Sequence, residues 1–137
     1  MNGALAAMTD LVVNDPAVIA ELEHLLEDYE RALMTNDTAA LDAYFWDDAR
    51  VTRYGIADRQ FGAEALRAFR ATVPAPAFTR RLALPRINSF GDRFATVQVE
   101  FVRSDTTLRG FQSQTWVRFE GGWKIVAAHV SMIPFEP

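Results

Sequence analysis

The stretch FTRRLALPRINSFGDRFATVQVEFVRSDTTLRGFQSQTWVRFEGGWKIVAAHVSM, residues 78–132, decides the fold. Apolar and β-branched residues alternate with polar ones through four runs, roughly 79–90, 93–103, 108–119 and 123–132. The breaks between them are Gly91-Asp92, Ser104 to Thr107 and Gly121-Gly122. Links this short join antiparallel neighbours only, because a parallel crossover needs about a dozen residues or more. A four-stranded meander is predicted.

Upstream the period changes. Val18, Ile19, Leu22, Leu25, Leu26, Tyr29 and Leu33 recur at three- and four-residue steps, which predicts a helix over 16–34 with one apolar face. Asp15-Pro16 supplies a capping carboxylate and a proline pre-set for the first turn, and Asn36 suits a left-handed stop. Asp37 caps a shorter helix through Phe45. Residues 50–54 and 59–61 read as short strands, and a third helix is expected over about 63–72 with Ala65, Leu66 and Phe69 inward, ended by Val73-Pro74-Ala75-Pro76. Helices first and a meander afterwards describe an α+β domain with the helices on one face of the sheet.

A chain of 137 residues that is 50% hydrophobic holds one domain, assigned to residues 15–137 behind a mobile N-terminal tail, 1–14. Fourteen basic against 18 acidic residues give a net charge of -4, the wrong sign for phosphate backbones, so no nucleic acid is expected as a partner. No apolar run approaches the roughly 18 residues of a membrane span, and Met1 to Thr9 lack the features of a secretory signal. A cytoplasmic location is expected. The chain has no cysteine and two distant histidines, His24 and His129, so neither a metal nor a cofactor is expected.

The candidate functional residues are polar groups on faces that ought to be apolar. Tyr29 lies on the buried stripe of the first helix, where its hydroxyl either bonds to backbone or faces a cavity. Arg53 alternates with Val51 in a short strand, and a guanidinium drawn inside needs an anion: Glu100, Asp47 or a substrate carboxylate. Period-two counting in the last strand puts Ile125, Ala127, His129 and Ser131 on one face, with His129 a satisfied core imidazole or a proton carrier. The strand before it offers Gln112, Gln114 and Trp116 on one face and Phe111, Ser113, Thr115 and Val117 on the other. One of these faces should line a concavity and the other make a subunit interface, and counting does not say which.

The order of elements resembles the cone-shaped fold of nuclear transport factor two and ketosteroid isomerase, with N-terminal helices packed on a strongly curved antiparallel sheet. The stretches Leu33 to Asp37, Phe45 to Asp48, Val51-Thr52-Arg53-Tyr54-Gly55, Gly62 to Arg70, Phe111 to Phe119 and Gly122 to Ser131 resemble the AtzH-like family, which includes oxalurate catabolism proteins. The resemblance implies a homodimer working beside an amidase in ureido-compound breakdown. Its activity would be that of a decarboxylating amidohydrolase on a small carboxylated urea such as 1,3-dicarboxyurea. Onto the matched motifs it carries Tyr29 and Arg53 as a pocket pair. In that setting Arg53 would anchor a carboxylate, Tyr29 would move the proton, and His129 would activate a water. Arg70, Trp46, Gln114 and Ser131 are expected to contact substrate, and Phe45, Trp46 or Trp116 to exclude water.

Two further readings stand beside this one. A non-catalytic binding or assembly partner of an amidase is suggested by Gln112-Ser113-Gln114-Thr115 and Gly122 to Val126, which resemble the association domain of a calmodulin-dependent kinase. Isomerase or dehydratase chemistry of the ketosteroid isomerase type would need a cavity carboxylate, for which Glu100 and Asp47 are the candidates.

Overall fold

A computed structural model describes residues 11–136. Among these, α1 spans Pro16–Met34, α2 Thr38–Tyr44 and α3 Ala63–Thr72. The strands are β1 (Thr52–Tyr54), β2 (Arg59–Phe61), β3 (Arg80–Phe90), β4 (Phe94–Arg103), β5 (Arg109–Phe119) and β6 (Gly122–Ile133), each within a residue or two of its expected bounds. They form one six-stranded sheet in the order β2-β1-β6-β5-β4-β3. All neighbours are antiparallel except β1, which runs parallel to β6.

The local chemistry acts where the residue types demand. Asp15 accepts from the backbone of Ala17 and Val18 ahead of Pro16. Asn36 takes a φ of 52°, and Asp37 caps α2 by accepting from the Ala40 amide. From α1, Val18, Leu22, Leu26, Tyr29 and Ala32 are buried together with Val97, Trp116 and Ile125 of the sheet. Each large apolar side chain removed from water there contributes roughly 1.5–3 kcal/mol. In α3 the buried residues are Ala63, Leu66 and Arg70, while Ala65 is exposed, contrary to its expected inward position. The inward stripe runs one turn on from Leu66 to Arg70 instead.

The tail expected over 1–14 falls outside the described residues up to position 10. Beyond it, Val13 bridges Phe90, the Asn14 amide donates to the Ser89 carbonyl at 3.0 Å and Gly91 donates to the Val12 carbonyl at 2.8 Å.

Two bulges shape the sheet. One lies in β3 between Ala83 and Arg86, where Leu84 takes a φ of 52°. The other lies in β6: Thr115 pairs with Ala127 but Trp116 pairs with Ile125, so Val126 is the extra residue. An inserted residue reverses the alternation beyond it. Ala128, not Ala127 or His129, therefore continues the inward row of Ile125.

Candidate functional site

A cavity of about 440 Å³ opens between the helices and the inner face of the sheet. That size falls in the range of about 300–1,000 Å³ typical of small-molecule sites. Its apolar walls come from Leu33, Met34, Phe69, Val73 and Pro74, among others.

Tyr29 lines it from α1. The side chain is 5% exposed, and its hydroxyl makes no hydrogen bond among the described residues. The backbone-bonded alternative for this hydroxyl is thus not the arrangement found. Its ring packs edge-on to Tyr44 at 6.0 Å and tilted to Phe45 at 6.4 Å.

Arg53 lines the cavity from β1, over the Phe69 ring at 5.0 Å. Its Nη1 donates to Asp58 Oδ1 at 2.6 Å and to Gln60 Oε1 at 3.0 Å. Asp58 was not among the anions expected for it. Glu100 is paired with Arg109 and Asp47 with Arg67, each at 2.8 Å. The β1–β2 register sets Gln60 opposite Arg53, and Gly55 leaves room where the Asp58 carboxylate sits. Burial pushes the Asp58 carboxyl up, but hydrogen bonds from Gln60 and Arg53 outweigh it and hold the group below its usual range. Cross-strand pairing continues from Arg53 to Ala128 and on to Gln114, so these three stand side by side on the inner face.

Arg70 lines the cavity from α3, 6% exposed, with its guanidinium 5.4 Å from the Phe45 ring. Its Nε and Nη2 are buried without a hydrogen-bond partner among the described residues. These two nitrogens form one edge of the guanidinium fork, the edge that meets a carboxylate with two parallel hydrogen bonds. Leaving a buried charge unpaired is costly, and this edge is the strongest sign of a missing anionic ligand.

The inner face of β5 is the one carrying Gln112, Gln114 and Trp116, which settles the choice that counting left open. Gln112 and Gln114 line the cavity, whereas Trp116 lies beneath them, fully buried, and donates from Nε1 to Gln114 Oε1 at 3.0 Å. Arg80, which spacing did not single out, lines the cavity as well. It is bidentate to Glu30 at 2.9 and 3.0 Å and donates to Gln112 Oε1 at 2.8 Å. Sequence does not distinguish Arg80 from neighbouring Arg81 as the inward cation of β3, since either face could be the buried one.

Ser131 and Trp46, expected at the site, lie outside the cavity lining, whereas His129 is part of it. The His129 side chain is exposed. Its ring packs edge-on to Tyr54 at 5.7 Å, and the Val126 bulge sets it on the face opposite Ala128. Ser131 follows it onto that face and does not line the cavity. Trp46 is stacked on Phe119 at 5.6 Å under Arg50, away from the cavity, because its backbone is tied to the Ile125 carbonyl at the far end of β6. Among the described residues no Asp or Glu lines the cavity, and no three His, Asp or Glu side chains cluster as metal ligands.

Comparison with known proteins follows the same outline. No curated protein matches the chain. Among solved structures, a cystatin-like fold protein from Burkholderia xenovorans is 44% identical with a TM-score of 0.89, covering 92% of this chain and 99% of that one. A protein of unknown function of the DUF3225 family from Pectobacterium atrosepticum is 41% identical with a TM-score of 0.86, covering 88% and 94%. An NTF2-like protein from Pseudomonas putida, 19% identical with a TM-score of 0.72 over 89% and 90%, shares the fold. No helix among the described residues is long and apolar enough to cross a membrane. The AtzH-like family model matches residues 11–136, and the chain belongs to the AtzH-like family.

Proposed function

We propose that the protein is a cofactor-independent enzyme acting on a small carboxylated urea, with decarboxylating amidohydrolase activity on a compound such as 1,3-dicarboxyurea. The observation that carries this reading is the unpartnered Nε/Nη2 edge of Arg70, in the same cavity as Tyr29 and Arg53. Arg70 grips a carboxylate, and Arg53, braced by Asp58 and Gln60, orients the far end of the molecule. The bond from nitrogen to the departing carboxyl carbon breaks and its electron pair stays on nitrogen. Nitrogen then takes a proton from the Tyr29 hydroxyl, carbon dioxide leaves, and solvent returns the proton to the phenolate. The free hydroxyl of Tyr29 and the apolar walls suit this role.

The reading extends to a cytoplasmic homodimer, supported by exposed apolar side chains on the long strands, Phe94, Phe119 and Ile133, and to work beside an amidase. Isomerase chemistry is disfavoured because no carboxylate base among the described residues lines the cavity.

The test is a coupled assay for carbon dioxide and ammonia with dicarboxyurea, allophanate and oxalurate. Carbon dioxide release that disappears in Arg70→Gln and Tyr29→Phe supports the enzyme. Silence across the panel from a folded protein overturns it in favour of a binding partner of an amidase.

A further inference from the structure

Two glutamines of the cavity have their amide orientation dictated by donor-only neighbours. Arg80 carries no acceptor, so the atom of Gln112 that meets it at 2.8 Å is the carbonyl oxygen. The indole N–H of Trp116 likewise can meet only the carbonyl oxygen of Gln114, at 3.0 Å. Each glutamine is thereby left with its NH2 unspent. Gln112 Nε2 is buried with no partner, and Gln114 Nε2 makes no hydrogen bond among the described residues. Gln112 and Gln114 are two apart on β5 and face the same way. With Arg70 the cavity thus presents a wall of donors.

The charge balance narrows the ligand further. Four arginines line the cavity: Arg53 is paired with Asp58, Arg80 with Glu30 and Arg103 with Asp105, while Arg70 has no acidic partner among the described residues. One positive charge is left for the ligand to meet.

We propose that Arg70, Gln112 and Gln114 form an acceptor-reading wall that selects a carboxylate with a carbonyl oxygen close to it. Arg70 takes the carboxylate on its free edge, and the glutamine NH2 groups donate to the neighbouring carbonyl. This deepens the proposed function by naming the end of the substrate that enters first, and it rests on that reading for the location of the site.

The experiment is calorimetric binding of two small acids to the intact protein, pyruvate and propionate, which carry the same charge and differ by one carbonyl acceptor. The expected result is pyruvate bound about tenfold more tightly than propionate. Gln112→Glu and Gln114→Glu keep the oxygen that Arg80 and Trp116 need and exchange each NH2 for an acceptor, so both should lose the preference for pyruvate. Arg70→Gln should weaken both acids. Propionate bound as well as pyruvate by the wild type, or no saturable binding at millimolar concentration, overturns the proposal, whether or not the variants fold. A protein that prefers pyruvate but turns over no ureido acid loses the proposed function and keeps this wall. One that turns over a ureido acid without the preference keeps the function and loses the wall.

Discussion

The rings of Tyr29 and Tyr44 meet edge to face at 6.0 Å, yet only the Tyr44 hydroxyl is held, donating to Asp28. Burial, reinforced by the Asp28 carboxylate, pushes the Tyr44 phenol up to about 12. Asp28 is in turn held below the usual carboxylate range by hydrogen bonds from Arg31 and Tyr44. Two adjacent phenols are thus divided, one locked into a surface ion-pair network and one left open to a cavity.

Tyr29→Phe and Tyr44→Phe should therefore have opposite effects. Removing the Tyr29 hydroxyl breaks no protein hydrogen bond, so stability stays within about 0.5 kcal/mol, while turnover of the carboxylated urea falls about 100-fold. Removing the Tyr44 hydroxyl costs about 1–2 kcal/mol in urea unfolding and leaves turnover within a few-fold. The reverse pattern would move the proton-transfer role to Tyr44.

Asp58 sets an acid limit on the site. Its folded value is depressed below 3.8, so its contribution is complete above the unfolded value and is lost as pH falls through the folded one. Urea midpoints taken from neutral pH down through the carboxylate range should show this loss in the wild type. Asp58→Asn should flatten it and cost about 1 kcal/mol at neutral pH. A variant whose pH dependence matches the wild type would mean that Arg53 is braced by Gln60 alone.

His129→Gln should leave turnover within about twofold, as expected of a side chain outside the reacting geometry. The pH-rate profile should be unchanged as well. A large fall in kcat with KM preserved would place the imidazole at the reacting atoms and contradict the face assigned by the Val126 bulge.

Glu30→Gln breaks a buried pair and leaves Arg80 with only Gln112. The expected cost is about 3 kcal/mol in urea unfolding. A loss below about 1 kcal/mol would place the pair in the class of surface ion pairs instead.

Sequence alone carries this fold a long way because its signals are local. Alternation and short Gly-containing links specify the β3–β6 meander, heptad-like spacing specifies α1, and Asp15-Pro16 and Asn36-Asp37 mark helix ends within a residue. The site is legible where a polar residue interrupts a strong apolar pattern, as at Tyr29, whereas Arg70 is suggested only by the family resemblance, because the inward stripe expected of α3 is Ala65, Leu66 and Phe69. Arg53 is legible as an inward cation, but its partner is not: Asp58 is positioned by a β1–β2 turn whose geometry a list of acidic residues does not contain.

The inventory is written in the residues: one α+β domain, a meander behind three helices, and arginines, a tyrosine and two glutamines that polar patterning alone does not place on a free surface. Which of them meet depends on the folded chain. The bulge at Val126 sets His129 and Ser131 on the face opposite Ala128, because one inserted residue reverses every side chain beyond it. The neutralisation of three arginines out of four, which leaves Arg70 as the free cation of the cavity among the described residues, depends on contacts between residues up to 50 positions apart in the chain. Local patterns encode periodicity, whereas charge pairing is a property of distances in space, and those exist only once the chain has folded.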